Sequence, residues 1–167
     1  MLNPIDTAAV VRDGGAVGQY PGQIHEGVAW WLGACQVVTL RASRLAVAHD
    51  GHPLSATFAD RLCSGAINAQ HYACSVRHLG PQPEPDLLAS MNDHHRAPGA
   101  WVSTEDAGGI TTVRIRLYGP DGALLDDDTG LAAIRSLITE DRVPIPVNDQ
   151  AKGTIEACHP LRSGGRP

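Results

Sequence analysis

Aromatic side chains are scarce in this 167-residue chain: Phe, Trp and Tyr together make up 4% of it, and Phe58 is the single phenylalanine. A core must then be assembled from Ala, Val, Leu and Ile. Positive charge is short as well, with 13 Lys and Arg against 18 Asp and Glu and a net charge of -5. Without a basic field for phosphate backbones or anionic lipid, nucleic acid and membrane are poor partners. No apolar run reaches the length of a bilayer span, and Met1-Leu2-Asn3-Pro4-Ile5-Asp6 has no basic region followed by an apolar stretch. A cytoplasmic location is expected. Cys35, Cys63, Cys74 and Cys158 show no CxxC spacing, and three of them sit in apolar segments, as small buried hydrophobes kept reduced would. Internal repeats and low-complexity tracts are lacking too.

What is present is enough for one domain with its own core: 43% of residues are hydrophobic and 19% charged. Residues 1–22 hold Gly14, Gly15, Gly18 and Gly22 with little periodicity and predict an irregular lead-in with a short strand near 8–11. From 23 to 40, Ile24, Val28, Trp31, Leu32, Cys35 and Val38 recur at helical spacing and predict an amphipathic helix. Trp30 and Trp31 cannot share one face, so one of them is a candidate for a partner surface. A strand at 45–48 ends in His49-Asp50-Gly51-His52-Pro53, after which Ser55 can cap a helix running to 69. A strand at 72–78, a short helix at 85–91 and a strand at 99–102 follow. This alternation is that of a parallel sheet with crossover helices.

The stretch 97–122 organises the rest. It reads as a buried strand entering at Trp101-Val102, a polar loop at 103–109, an alternating strand at 112–117 returning antiparallel, and a turn at 119–122. A polar loop between strands is where an α/β domain puts its chemistry. Asp126-Asp127-Asp128 stands just ahead of a helical run at 131–138, where a helix dipole favours negative charge. After Val143, prolines at 144, 146, 160 and 167 and weak periodicity predict a loose tail.

Four segments occur in an order that resembles a known family. They are Leu45-Ala-Val-Ala-His-Asp-Gly-His-Pro-Leu-Ser55, Pro98-Gly-Ala100 ahead of the polar loop, Ile115-Arg-Leu-Tyr-Gly-Pro-Asp-Gly122, and Asp128-Thr-Gly-Leu-Ala-Ala-Ile-Arg-Ser-Leu137. Together, over roughly 10 to 140, they resemble the first domain of the α-D-phosphohexomutases, the phosphomannomutase/phosphoglucomutase family. The resemblance implies a three-layer α/β/α fold with a mixed, mostly parallel sheet, residues 1–142 forming the domain and 143–167 the tail. It also implies that this is one of four domains. In the family the first carries a Thr-Ala-Ser-His-Asn-Pro loop whose phosphoserine moves a phosphoryl group between the 1- and 6-positions of a hexose. The second holds Mg²⁺, the third reads the sugar and the fourth binds its phosphate.

Laid on that loop, Ser103-Thr104-Glu105-Asp106-Ala107-Gly108 puts Glu105 at the phosphoserine position, without the His-Asn-Pro that should follow. The family's Tyr-Asp-Ile-Arg-Gly segment is matched only by Val11-Arg12-Asp13-Gly14-Gly15, and its Asp-Gly-Arg turn has become Asp50-Gly51-His52. Phosphoryl transfer needs cationic groups and a metal around the phosphate oxygens, and two carboxylates there repel a dianion. Mutase activity is therefore not expected.

The expectation is a stand-alone, degenerate domain of this family, a non-mutase accessory module holding a protein or small ligand. Glu105 then either mimics a phosphoserine or has drifted. The alternative is a small enzyme with acid/base chemistry, Glu105 or Asp106 working with His49, His52 or the His94-His95 pair. Ser103, Thr104, His49, Asp50 and His52 are the candidate ligand-binding residues. No cofactor is expected, and no ligand spacing supports a metal. A family domain standing alone must cover the face it would turn to its neighbours, so a homodimer or protein partner over Trp30, Trp31 or Trp101 is expected.

Overall fold

In a computed structural model of the chain, residues 5–69, 74–144 and 152–157 are described. The element anticipated as two strands around a loop is one continuous hairpin. Strand β4 (Gly99–Ala107) pairs antiparallel with β5 (Ile110–Tyr118) from Gly99 opposite Tyr118 to Ala107 opposite Ile110. Gly108 and Gly109 alone make the turn, with φ of 60° and 78°. Positive φ at both positions is the primed hairpin turn, whose twist matches the strands it joins. Residues 103–107, expected to form a polar loop, are therefore strand. Their small polar side chains hid the ladder that Thr111, Thr112 and Val113 complete from across the hairpin.

The sheet runs β1-β5-β4-β2-β3-β6. Strand β1 (Gly15–Gln19) lies antiparallel to β5, while β2 (Arg44–His49) runs parallel to β4 and to β3 (Ser75–Pro81), and β3 is parallel to β6 (Thr154–Ala157). The sheet is mixed and mostly parallel, as expected. Two expectations are corrected at its margins. The short strand near 8–11 is a helical turn, α1 (Thr7–Val10), because the Asp6 carboxylate caps it by accepting from Ala9 N at 3.2 Å. The lead-in strand comes later, at β1, where Gly15 packs so closely that a Cβ would lie 1.9 Å from Ile115 O. The C-terminal stretch read as loose tail supplies β6, which enters through Gly153 N to Ile67 O at 2.9 Å and Thr154 N to Cys74 O at 3.0 Å. The open edge of β3 favours that pairing over the prolines on either side. The strand expected at 72–78 sits at Ser75–Pro81, and positions 72 and 73 lie outside the described residues.

Helices cover both faces. On one lie α2 (Glu26–Leu40) and α3 (Pro53–Ile67), joined by α1 and α5 (Ala132–Thr139), over a core containing Leu32, Leu45, Val47, Phe58, Leu62, Val102, Ile115 and Ile134. On the other, α4 (Glu84–Asp93) packs Leu87 and Met91 against Ala46, Ala48, Leu79 and Tyr118. The α2 helix, expected to be amphipathic, buries every residue from Trp31 to Val37 and so is covered nearly all round. Its Gln36 is fully buried and its Nε2 donates to Gly99 O at 2.9 Å and Tyr118 O at 3.3 Å, tying the helix to the foot of the hairpin. Trp31 is buried, Trp30 packs half-buried on the core, and Trp101 lies on the α4 side with its ring N–H donating to Gln82 O at 2.9 Å. Asp126 caps the turn ahead of α5, exchanging bonds with Thr129 in both directions.

Candidate functional site

The parallel strands deliver their C-terminal ends side by side, Ala48 opposite Trp101 and His49 opposite Val102. From there β2 turns through Asp50-Gly51 into α3, while β4 runs on beyond the sheet toward the hairpin tip. Alternation along β4 puts Val102, Thr104 and Asp106 on the α3 side, and Trp101, Ser103 and Glu105 on the other.

Asp50 links the two segments. Its Oδ2 accepts from Thr104 N and its Oδ1 from His52 N, both at 2.9 Å. Burial alone would raise its pKa, but these backbone bonds, a bond from Ser55 and the nearby His52 outweigh it and hold the carboxyl below its ordinary value. Ser55 Oγ and Thr104 Oγ1 are 2.6 Å apart. Ser55 was expected to cap α3. That place belongs to His52, whose Nδ1 accepts from Leu54 N at 3.0 Å, and Pro53 follows at the first helical position, where a missing N–H costs nothing. Since Nδ1 accepts, Nε2 carries the ring proton, and it donates to Asp106 Oδ2 at 2.8 Å. Asp106 Oδ1 takes the Thr111 hydroxyl at 2.6 Å. Thr111 foremost, then His52, hold the Asp106 carboxyl below its ordinary value.

Of the candidates, Asp50, His52, Thr104 and Asp106 are thus brought together. Ser103 and Glu105 are not, since both project from the opposite face of β4. His49 lies on the α3 side of β2, its Nδ1 accepting from Gly51 N at 3.1 Å and its ring edge-on to His78 at 6.0 Å. Burial first, then the neighbouring His78, push its pKa down. His78 in turn reaches Asp60 Oδ1 at 2.7 Å. His94 and His95 follow α4 and precede β4, at the other end of the sheet. Ser55 and Thr111 belong to the network and were missed as members; reading the hairpin register would have set Thr111 opposite Asp106.

Chemically, the bonds from Thr104 to Asp50, between Ser55 and Thr104 and from His52 to Asp106 fasten the hairpin to α3 and the loop ahead of it. The Thr104 hydroxyl is held by Ser55, with no imidazole on it among the described residues, and His52 donates a hydrogen bond to the Asp106 carboxylate. Among the described residues no group of three or more His, Cys, Asp or Glu is placed to hold a metal ion. Two open depressions of about 500 and 580 Å³ lie elsewhere, one beside Met91 and Arg96, the other beside Asp126 and Arg135.

No protein-family model matches the sequence, and no curated protein does. Solved structures do. A phosphoglucomutase/phosphomannomutase family protein from Burkholderia thailandensis aligns over 93% of this chain with a TM-score of 0.69 at 14% identity. A Thermus thermophilus protein described as a phosphomannomutase aligns over 95% with a TM-score of 0.65 at 20% identity. Parafusin, a phosphoglucomutase from Paramecium in its open form, aligns over 95% at 0.59 and 11% identity. The chain spans 34% of the length of each. It therefore has the α/β fold of a single domain of phosphoglucomutase/phosphomannomutase family proteins.

Proposed function

We propose that this chain is a non-mutase member of the phosphohexomutase lineage, acting as an accessory domain that binds a protein or a small ligand at the hairpin face. The observation that carries this reading is the position of Glu105. Where the motif comparison sets the phosphoserine, a carboxylate stands exposed on a regular strand, two residues short of a tight Gly-Gly turn. A phosphoryl-accepting hydroxyl must stand free beside cationic groups. Thr104 is bonded to Ser55 and stands next to two carboxylates, Glu105 and Asp106, while the hairpin's Arg114 pairs with Ser103 on the opposite face. Glu105 and Asp106 point to opposite sides of β4, so the tip offers negative charge to a partner from either direction.

Intact-mass measurement after incubation with glucose 1,6-bisphosphate and Mg²⁺, together with thermal shift against hexose phosphates, tests this. The expected result is no phosphoryl adduct and no shift that depends on Glu105, read from Glu105→Ala. A phosphoryl group mapped to Ser103 or Thr104, removed by the matching alanine variant, would overturn it.

The 2.8 Å contact between His52 and Asp106 favours a second reading, acid/base chemistry at the hairpin. A general base works best with a pKa near neutrality, whereas the bonds on Asp106 move its carboxyl the other way. The binding role is accordingly the better supported of the two.

A further inference from the structure

At the opposite end of the parallel strands from the hairpin tip, β2 opens with Arg44 and β3 carries Arg77. Ala46 pairs with Arg77 in the register and packs in the α4-side core, so Arg44 and Arg77 both project from the face that α4 covers. The helix ends beside them. His94, its C-cap, is 8% exposed, and His95 follows with the two ring centroids 6.3 Å apart. Carbonyls of the last helical turn are already taken, those of Ser90 and Met91 by His94 N and that of Asn92 by Arg96 N.

Nε2 of His94 and Nε of Arg77 are buried and, among the described residues, without a hydrogen-bond partner. Buried polar atoms are nearly always satisfied, so the Arg77 N–H asks for an acceptor, as does His94 Nε2 in the tautomer that carries its proton there. The carboxylate at hand is Glu156 of the edge strand β6, whose Oε1 stops 3.8 Å from Arg77 Nε and whose side chain is 70% exposed. That separation is beyond a hydrogen bond, and an ion pair so open to water contributes little. After burial, Arg77, Arg44 and His95 depress the His94 pKa, and Glu156 opposes them. Among the described residues, positive groups here outnumber the opposing carboxylate.

We propose that Arg44, Arg77, His94 and His95 form a binding site for a phosphate-type oxyanion, either free phosphate or the phosphoryl group of a monoester. Such an anion brings several acceptor oxygens at once. It can take the orphaned Nε of Arg77 and a proton-bearing Nε2 of His94 while facing Arg44 from the open side. Glu156 competes for the same guanidinium. The site is independent of the hairpin and of the role proposed for it.

Calorimetric titration of the full chain with sodium phosphate at constant ionic strength, repeated with glycerol phosphate, tests the assignment. Saturable one-site binding is expected. Arg44→Gln should weaken it about three- to fivefold, the range of an exposed charge contact. His94→Asn should weaken it about tenfold, the scale of a hydrogen bond to a charged group. Glu156→Gln should tighten it, and phosphate should raise the His94 imidazole pKa followed by NMR. Equal affinity for the two ligands identifies the free anion, and tighter binding of glycerol phosphate a monoester. Absence of saturable binding to the wild type, or Arg44→Gln and Glu156→Gln both titrating like the wild type, would overturn the site. Those two substitutions are at exposed positions and decide the matter even if His94→Asn does not fold.

Discussion

His52 Nε2 lies 2.8 Å from Asp106 Oδ2, so one imidazole caps α3 through Nδ1 and grips the tip of the β4–β5 hairpin through its other nitrogen. Removing the ring has two separable effects. His52→Ala should cost about 1 kcal/mol from the lost cap alone. His52→Asn, whose side-chain oxygen can still accept from Leu54 N, should recover most of that while leaving Asp106 without its histidine partner. Urea denaturation checks the stability, and hydrogen exchange at Thr104 and Thr111 checks the hairpin. Equal destabilisation by Ala and Asn would mean that the cap is not what His52 contributes.

Asp50 supports the same junction from the other side. Asp50→Ala removes the acceptor for both Thr104 N and His52 N and should destabilise by about 1–2 kcal/mol, at the lower end of charged hydrogen bonds because solvent screens the group. Asp50→Asn, which keeps one acceptor oxygen, should fall between Ala and wild type. A melting temperature for Asp50→Ala equal to that of wild type would contradict this.

Acid should loosen the fold before it reaches the carboxylates. His49 and His94 are both held below the ordinary value of 6.5, His49 by burial and then His78, His94 by burial and then Arg77, Arg44 and His95. The unfolded chain therefore takes up these protons first. Their contribution is fully present above 6.5, declines as pH falls below it, and is gone once pH has passed through the lowered folded values. Melting temperature followed from about pH 8 to about pH 5 should fall, and His49→Asn, able to accept from Gly51 N without titrating, should flatten the slope. A wild-type profile that is level across that interval would refute the assignment.

Much of this fold was legible in the chain, for physical reasons that also mark where legibility ended. Strand β2 and helix α3 were readable because Leu45–Ala48 is a short apolar run and Phe58, Leu62 and Cys63 recur at helical spacing. The tip of the hairpin was not, because Ser103, Thr104, Glu105 and Asp106 carry no apolar alternation. Their strand state comes from backbone pairing with β5, which is a long-range property. Likewise Thr154–Ala157 is exposed at every residue and shows no buried period; it is a strand because β3 offers it an edge. The candidate residues divided on the same point. His52 and Asp106 met because β4 runs on past the end of β2, where His52 follows, whereas Glu105, one residue away, was lost to the other face by the period of two.

The described thiols should be inert in the native state. Cys35, Cys63 and Cys74 are buried, and burial pushes each thiol up to about 12, so almost none is thiolate at neutral pH. Alkylation by iodoacetamide near neutrality should leave all three unmodified by peptide mapping, and mild urea below the unfolding midpoint should change little. Rapid native labelling of any of them would mean that the α2–α3 layer opens locally.

That layer is held together by two glycines. A Cβ on Gly33 of α2 would lie 2.1 Å from Leu62 O, and one on Gly65 of α3 would lie 2.0 Å from Trp30 O, so each helix backbone rests against a glycine of the other. By helix propensity alone, Gly→Ala should stabilise by about 1 kcal/mol. The contacts are with backbone carbonyls, which cannot rotate away, so overpacking wins and either substitution should cost about 2–3 kcal/mol net. Urea midpoints measure it, and stabilisation by either alanine would show that the helices are not in backbone contact. The double variant is more discriminating. Once one added methyl has pushed α2 and α3 apart, the second meets less resistance, so Gly33→Ala with Gly65→Ala should cost less than the sum of the two.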